Sequence, residues 1–318
     1  MAKIKVALIG YGHLGRWHAQ KVVASTRAEL VAVVEKAPAN QAAAEKEGLP
    51  VARDLSEVLD KIDAAVIATP ASTHFALASA LVAAQKHVFC EKPVTFTLAE
   101  AQTLQNAATK VPGLIFQVGH SERCHEVWEW FKPGGGPANW PCANTLQVPG
   151  TWYLKRLAPF NGRATDVDVI ADLMIHDIDL MLWHLQAMPL EVTAYGHQIR
   201  TGKWDHVTAH FKFASGHQVF ILAGRNWGVR ECGLAAINEL GVLQIDLLNQ
   251  KVLWASKEGA AAQGPATFTY QKRDHLQLEQ EKFYQAIQEQ QRPWVSLAEG
   301  KNAVAVAEMV LHALGRSA

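Results

Sequence analysis

The sequence predicts a two-domain α/β protein: a doubly wound parallel sheet in residues 1–120, then an α+β domain with a large, mostly antiparallel sheet in residues 121–318. Three observations predict it. Short β-branched runs alternate with helical stretches at the pitch of βαβ units, which implies parallel strands with helices on both faces. A glycine- and proline-rich surface loop, Pro133-Gly-Gly-Gly-Pro137, then breaks the pattern. Beyond it, segments alternate apolar and polar residues, as antiparallel strands with one solvated face do. With 318 residues, 49% of them apolar, the chain is long enough to bury two cores.

The elements follow in order. Ile4 to Ile9 is a continuous apolar run closing at Gly10, the mark of a strand buried on both faces. A helix is expected from about His13 to Ser25, and a second strand from Glu29 to Val34, ending on Glu35. Ala64 to Ala68 is the next strand, stopped by Thr69-Pro70; a helix from Thr73 to Gln85 leads to the strand His87 to Cys90. In the second domain, 169–185 reads as an apolar helix. Thr208–Phe213 and Gln218–Leu222 read as alternating strands, and Leu276–Gln288 and Leu297–Leu314 as closing helices.

Bulk properties exclude several classes. Thirty basic and thirty acidic residues cancel, so no field favours a nucleic acid or an anionic membrane. Four widely spaced cysteines with no CxxC pair read as free thiols in a reducing compartment, not as a disulfide frame or zinc site. No signal-peptide core follows Met1, and no apolar run approaches the ~20 residues of a membrane span, so a cytoplasmic location is expected.

The first strand runs straight into Gly10-Tyr-Gly12-His13-Leu14-Gly15, a GxGxxG that opens a helix. In that setting the first glycine permits the tight turn, the second lets backbone approach a pyrophosphate, and the third lets helix and strand pack closely. The helix N-terminus faces the phosphates with unpaired N–H groups. Glu35 ends the next strand 20 residues after Gly15, placed to accept from the adenosine ribose hydroxyls and to repel a 2′-phosphate. The expected cofactor is NAD in a Rossmann domain, although Lys36 beside Glu35 weakens the choice against NADP.

Two further groups carry chemistry. Asp172, His176 and Asp179 fall on one face of the apolar helix at spacings of four and three, with Asp177 pointing away. Carboxylates in so apolar a setting need partners. Asp172 is placed to orient His176 and raise its basicity for proton transfer. A purely structural stripe and a zinc site are the alternatives, the latter lacking a second histidine or cysteine at ligand spacing; no metal is expected. Glu91-Lys92-Pro93 follows a strand, at the sheet edge where open α/β proteins bind ligands. A lysine there favours alkoxide character on a hydroxyl as hydride leaves.

Together these residues resemble the glucose–fructose oxidoreductase/inositol dehydrogenase (Gfo/Idh/MocA) family nearly end to end. The match takes in the glycine turn, Ala68-Thr-Pro-Ala-Ser-Thr-His74, Lys86-His-Val-Phe-Cys-Glu-Lys-Pro93, Gly119-His120 and the Asp172/His176/Asp179 helix. It continues through Asp274-His-Leu-Gln-Leu-Glu279 with Phe283, Pro293-Trp-Val-Ser296 and Gly300. The resemblance implies NAD(P)-dependent oxidation or reduction of sugars or cyclitols, an open-faced second sheet, and a homodimer or homotetramer built on that sheet. It assigns Lys92 as the catalytic lysine, His176 as the proton-transferring residue and Asp172 as the carboxylate beside it. It places Thr69, Pro70, His74 and Glu91 with the glycines, His13, Leu14, Glu35 and Lys92 around the cofactor. A cis Lys92–Pro93 bond is frequent in the family.

Gly119-His120-Ser-Glu122-Arg123, Arg156-Leu-Ala-Pro-Phe160 and Ala223-Gly-Arg225 with Arg230 are similar to the subgroup of UDP-N-acetylglucosamine 3-dehydrogenases. That subgroup oxidises a sugar C3 hydroxyl with NAD ahead of a transaminase that makes a diamino sugar for lipid A. It implies a substrate set of Lys92, His120, Glu122, Arg123, Arg156, Arg163, Asp172, His176 and Arg225, with the arginines on the diphosphate. Met174 in place of a frequent glycine, and Cys124-His125 in place of an aromatic residue followed by proline or asparagine, depart from the family pattern. A dehydrogenase of a free cyclitol or aldose, and a catalytically silent NAD-sensing regulator, are the rival readings.

Overall fold

The computed structural model describes residues 2–138, 140–162, 165, 167–257 and 264–316, and it divides into two compact units. The first begins with β1 (Ile4–Ile9), α1 (His13–Ala24), β2 (Ala28–Val34), α2 (Pro38–Lys46), β3 (Val51–Ala52), β4 (Ala64–Ile67), α3 (His74–Ala83), β5 (His87–Glu91), α4 (Leu98–Ala108) and β6 (Phe116–Gly119). All neighbours pair in parallel, in the order β3-β2-β1-β4-β5-β6. Successive connections leave β1 in opposite directions, toward β2 and then β4, so the chain's switch point lies at the end of β1, where Gly10 stands. In doubly wound sheets that crevice is the ligand site.

The continuous apolar runs have a plain cause. Val6, Ala7 and Leu8 of β1 and Ala64, Ala65, Val66 and Ile67 of β4 are wholly buried, since these central strands are covered on both faces. Burying a side chain the size of Leu8 is worth about 1.5–3 kcal/mol. α4 starts on a capping box: Thr97 Oγ1 accepts the Glu100 N–H, while the Glu100 carboxylate accepts the Thr97 N–H.

The second unit holds β7 (Thr151–Leu157), a single π turn (Ile170–Met174) running into α5 (Ile175–Leu185), β8 (Glu191–His197), β9 (His206–Lys212), β10 (Gln218–Gly224), β11 (Glu231–Asn238), β12 (Gly241–Asp246), β13 (Lys251–Ser256) and β14 (Ala266–Thr269). Among the described residues its eight strands lie in the order β14-β13-β12-β11-β7-β10-β9-β8 and are antiparallel except for the β7–β10 pair. Alternation along β10 buries Val219, Ile221 and Ala223 on one face. On the other, Phe220 stacks against His210 (4.2 Å) and the exposed Tyr153 (5.3 Å).

The chain then returns. α6 (His275–Glu289) and the start of α7 (Leu297–Arg316) belong to the first unit, which therefore comprises Met1–Ser121 and Asp274–Val304. This corrects a contiguous 121–318 domain. Phe283 of α6 packs edge-on against Phe89 of β5, Lys21 of α1 pairs with Asp274 at 2.6 Å, and Gly300 of α7 sits against Val118. Periodicity forecasts these helices, but not which sheet covers their apolar faces. No helix among the described residues is long and apolar enough to cross a membrane.

Candidate active site

The three glycines of the turn answer to different constraints. Gly10 has φ +94°, and a Cβ there would meet Ala68 O at 2.7 Å and Thr69 Cγ2 at 2.8 Å. A Cβ on Gly15 would overlap Gly10 O outright, since α1 packs directly on the turn. Gly12 is different: its φ is an ordinary −70°, and a Cβ would meet nothing within 4 Å. Nothing in the chain's own packing requires glycine at position 12, so the opening fits a group from outside, a pyrophosphate against bare backbone. Neither a side-chain cap nor an acidic residue occupies the N-terminus of α1, where His13 and the exposed Leu14 begin the helix.

Glu35 stands beside that opening. Its carboxylate accepts the N–H groups of Tyr11 (2.7 Å) and Ala37 (2.8 Å) and the amide of Asn40 (3.3 Å). Burial works to raise its pKa, but these donors outweigh it and hold the group below the usual carboxylate value. An ionised acceptor at the end of β2 suits ribose hydroxyls and opposes a phosphate. The residues present therefore fit NAD.

The turn carrying Lys92 is tied from both sides. Lys92–Pro93 is cis. Behind it, the Glu91 carboxylate lies 2.9 Å from His18 Nε2 and accepts the Lys92 N–H at 3.2 Å. Ahead of it, His74 Nδ1 lies 2.8 Å from the Pro93 carbonyl oxygen, while His74 Nε2 lies 2.9 Å from that of Thr69. Thr69 is held in turn by Thr73, whose hydroxyl lies 2.7 Å from that of Thr69 and donates to Pro70 O at 2.8 Å. His74 and Glu91 were expected at the cofactor. Both are buried, with their side-chain polar atoms engaged by the chain.

In the second unit the helix of Asp172 and His176 starts on Asp168, whose carboxylate accepts the N–H groups of Ile170 and Ala171. Asp172 lies in the π turn and His176 in the first turn of α5, both half-buried. Such π turns are rare and frequent at functional sites. Asp179 leaves the expected stripe: it is buried and holds Arg123 by two bonds, Nε to Oδ2 at 2.8 Å and Nη2 to Oδ1 at 2.6 Å. Asp177 also turns inward, and Arg156 bonds it at 2.8 and 3.2 Å while lying 3.2 Å from Glu122. Burial would raise the Glu122 carboxyl, yet Arg156, His125 and His176 together hold it well below its ordinary value. His125 Nε2 is 3.3 Å from that carboxylate, with its Nδ1 3.3 Å from Tyr270 Oη, so the departure Cys124-His125 is built into this network. Met174, the other departure, is wholly buried.

These pairs give arginines of the expected diphosphate set partners within the chain itself. Arg123, Arg156 and Arg225 each bond a carboxylate of the chain itself. Arg225 Nε donates to Asp205 (2.8 Å) and its Nη2 to Val167 O (2.7 Å). Asp205 is lowered, because the N–H groups of Thr201 and Arg200 outweigh its burial. Arg163 lies outside the described residues, and Arg230 is exposed. Among the expected residues, the first unit holds Gly10, Gly12, His13, Leu14, Gly15, Glu35, Thr69, Pro70, His74, Glu91, Lys92 and the buried His120. The second holds Glu122, Arg123, Arg156, Asp172, His176 and Arg225.

Residues 4–120 match the family described as "Oxidoreductase family, NAD-binding Rossmann fold", and residues 145–243 match "GFO/IDH/MocA C-terminal domain". The chain belongs to the Gfo/Idh/MocA oxidoreductase family. It is an NAD-dependent oxidoreductase. Among its relatives in this family is the UDP-N-acetylglucosamine 3-dehydrogenase of Acidithiobacillus ferrooxidans, 35% identical over 71% of this chain and 68% of the relative. A solved structure of that enzyme superposes with a TM-score of 0.88 at 30% identity, covering 99% of both chains. An inositol 2-dehydrogenase of Rhizobium meliloti is 27% identical over 70% of this chain and 69% of the relative.

Several residues behind the expected ones escape a sequence reading: Gln280, Tyr270 and Asp205 meet partners 20 to 262 positions away in sequence. His18 had a signal, a polar residue at a wholly buried position of α1, and the glycine motif next to it draws attention away.

Proposed function

We propose that the protein is a sugar dehydrogenase that oxidises the C3 hydroxyl of UDP-N-acetylglucosamine to a ketone with NAD, ahead of an amination in amino-sugar (lipid A precursor) synthesis. The likeness to the A. ferrooxidans enzyme over 99% of both chains is the observation that supports this substrate. Lys92 is the cation that stabilises charge developing on the substrate oxygen, in the manner of an oxyanion site. His176 takes the hydroxyl proton, and Asp172, one turn earlier, orients it. Such a base typically contributes ~10²–10⁴-fold. Bound NAD supplies the hydride acceptor. With three arginines spent on carboxylates, Arg230 and Arg163 carry the diphosphate. Assembly as a homodimer or homotetramer on the face bearing Tyr153 and Phe220 belongs to the same proposal.

One observation favours a second substrate. Arginines bonded to carboxylates of the chain itself suit a free cyclitol, the class named for the R. meliloti relative. The test is NADH formation with UDP-N-acetylglucosamine, myo-inositol, glucose or no addition, with the ketone trapped to pull the reaction. Turnover of the UDP-sugar alone is expected. Turnover of inositol or glucose alone overturns the nucleotide-sugar reading and leaves the roles of Lys92 and His176 in place. Replacing Lys92 by Met removes turnover and spares NAD binding; near-normal turnover in that variant refutes its role.

A further inference from the structure

Behind Lys92 a chain of buried side chains runs from α6 to the end of β5. Tyr284 Oη donates to Gln280 Oε1 at 3.0 Å. Gln280 Nε2 lies 2.6 Å from His18 Nδ1 and donates to the His18 carbonyl oxygen at 3.3 Å. His18 Nε2 lies 2.9 Å from Glu91 Oε1, and Glu91 Oε2 accepts the Lys92 N–H at 3.2 Å. His18, Gln280 and Tyr284 have no exposed surface.

Chemistry at the two ends fixes the direction of every bond. A carbonyl oxygen only accepts, so the amide end facing His18 O is the NH₂ end; the Tyr284 hydroxyl meets the other. His18 Nδ1 therefore receives a hydrogen and carries a lone pair. The ring hydrogen sits on Nε2 and points at the Glu91 carboxylate. No space is left for the carboxylate on its far side, since a Cβ on Gly119 would stand only 3.0–3.2 Å from its atoms.

We propose that His18 and Gln280 are positioning residues for Lys92: Gln280 selects the Nε2–H tautomer of His18, which holds the Glu91 carboxylate and thereby the turn that presents Lys92. The inference rests on the reading of Lys92 as the catalytic cation. It explains why a helix from the end of the chain belongs to the first unit, because α6 supplies the amide that sets the tautomer. It also gives Gly119, part of the family resemblance, a physical task.

Two measurements test it. Nitrogen-15 spectra of the imidazoles, with His18 assigned by the signal lost in His18→Leu, are expected to show Nδ1 bare and Nε2 protonated. Gln280→Glu, which swaps the NH₂ for an acceptor oxygen, is expected to move a proton to Nδ1. A protonated Nδ1 in the parent protein overturns the proposal without any substrate being needed. The second measurement is single-turnover NADH formation with whichever sugar the parent enzyme oxidises. Misplacing a reacting group by about 1 Å costs about 10²-fold, so His18→Leu and Gln280→Glu are expected to lose on the order of 10²-fold in rate. NAD affinity should stay within about twofold, and His18→Gln, which keeps a donor toward Glu91, should recover most of the rate. If His18→Leu does not fold, Gly119→Ala displaces the same carboxylate by a smaller step. Parent-like rates in these variants, with Lys92→Met inactive, overturn the positioning role. An active Lys92→Met overturns the reading of Lys92 itself and leaves the spectra to decide the tautomer.

Discussion

The two units bury polar groups by opposite means. In the first, the Glu91 carboxylate is met by an imidazole and a backbone N–H, and an amide meets the imidazole in turn, in a chain that passes orientation from one residue to the next. In the second, three arginines are sunk among four carboxylates: Arg123 with Asp179, Arg156 with Asp177 and Glu122, and Arg225 with Asp205. Buried ion pairs recover little more than their desolvation cost, but breaking one leaves a bare charge inside. The comparison teaches that the first unit uses polarity to aim a side chain, whereas the second uses it to pin α5 and the ends of its strands.

The largest effect should come from breaking the second arrangement. Arg156→Met strands Asp177 and Glu122 and is expected to cost about 3–5 kcal/mol in urea unfolding; a loss below about 1 kcal/mol would show that the pairs are dispensable. Gln280→Leu, the matching cut in the first unit, removes a neutral donor and should cost about 1–3 kcal/mol. A larger loss than in Arg156→Met would invert the comparison. Gly12→Ala sharpens it from the ligand side. With nothing within 4 Å of the new methyl, Tm should hold, while NAD affinity falls at least about tenfold, or about 1.4 kcal/mol. A fall in Tm with unchanged affinity would return Gly12 to a folding role.

The smallest effect is in the pH dependence. Glu122 is held well below its ordinary value in the folded chain. A depressed carboxyl stabilises above its unfolded pKa of about 4.3, and that contribution is lost as pH falls toward the folded value. The Tm gap between the parent protein and Arg156→Met should narrow as pH falls, because Glu122 and Asp177, once protonated, no longer need the guanidinium. A gap that persists undiminished into acid would assign the stabilisation to something other than this charge.

Much of the first unit was legible because its signals are local. Strand runs end where Gly10, Glu35 and Lys92 begin, and each of those residues sits where a strand edge places it. β3 escaped because two residues carry no period, and β6 because the polar Gln117 interrupts it. Gln117 is wholly buried there, its amide spent on Glu279 O and the Trp294 N–H. In the second unit, the helix of Asp172 and His176 was legible, but the fate of the arginines was not. Arg156 in β7 and Asp177 in α5 are neighbours only after the fold is made, and composition cannot say whether a guanidinium meets a carboxylate of its own chain or a phosphate. The π turn was equally silent, since a helix period is the same on paper whether or not one turn is widened.

The return of α6 to the first unit also has a temporal meaning. During synthesis the sheet of residues 1–121 emerges with His18 facing a missing neighbour, and Gln280 is made only after the whole second sheet. At translation rates of about 5–20 residues per second, that interval is roughly 8–30 s. Through it the nascent domain exposes the apolar surface that Phe283 and Tyr284 later cover. Ribosome-bound fragments ending before α6 should thus be clients for chaperones, and the lysine turn is set only when the last helices arrive.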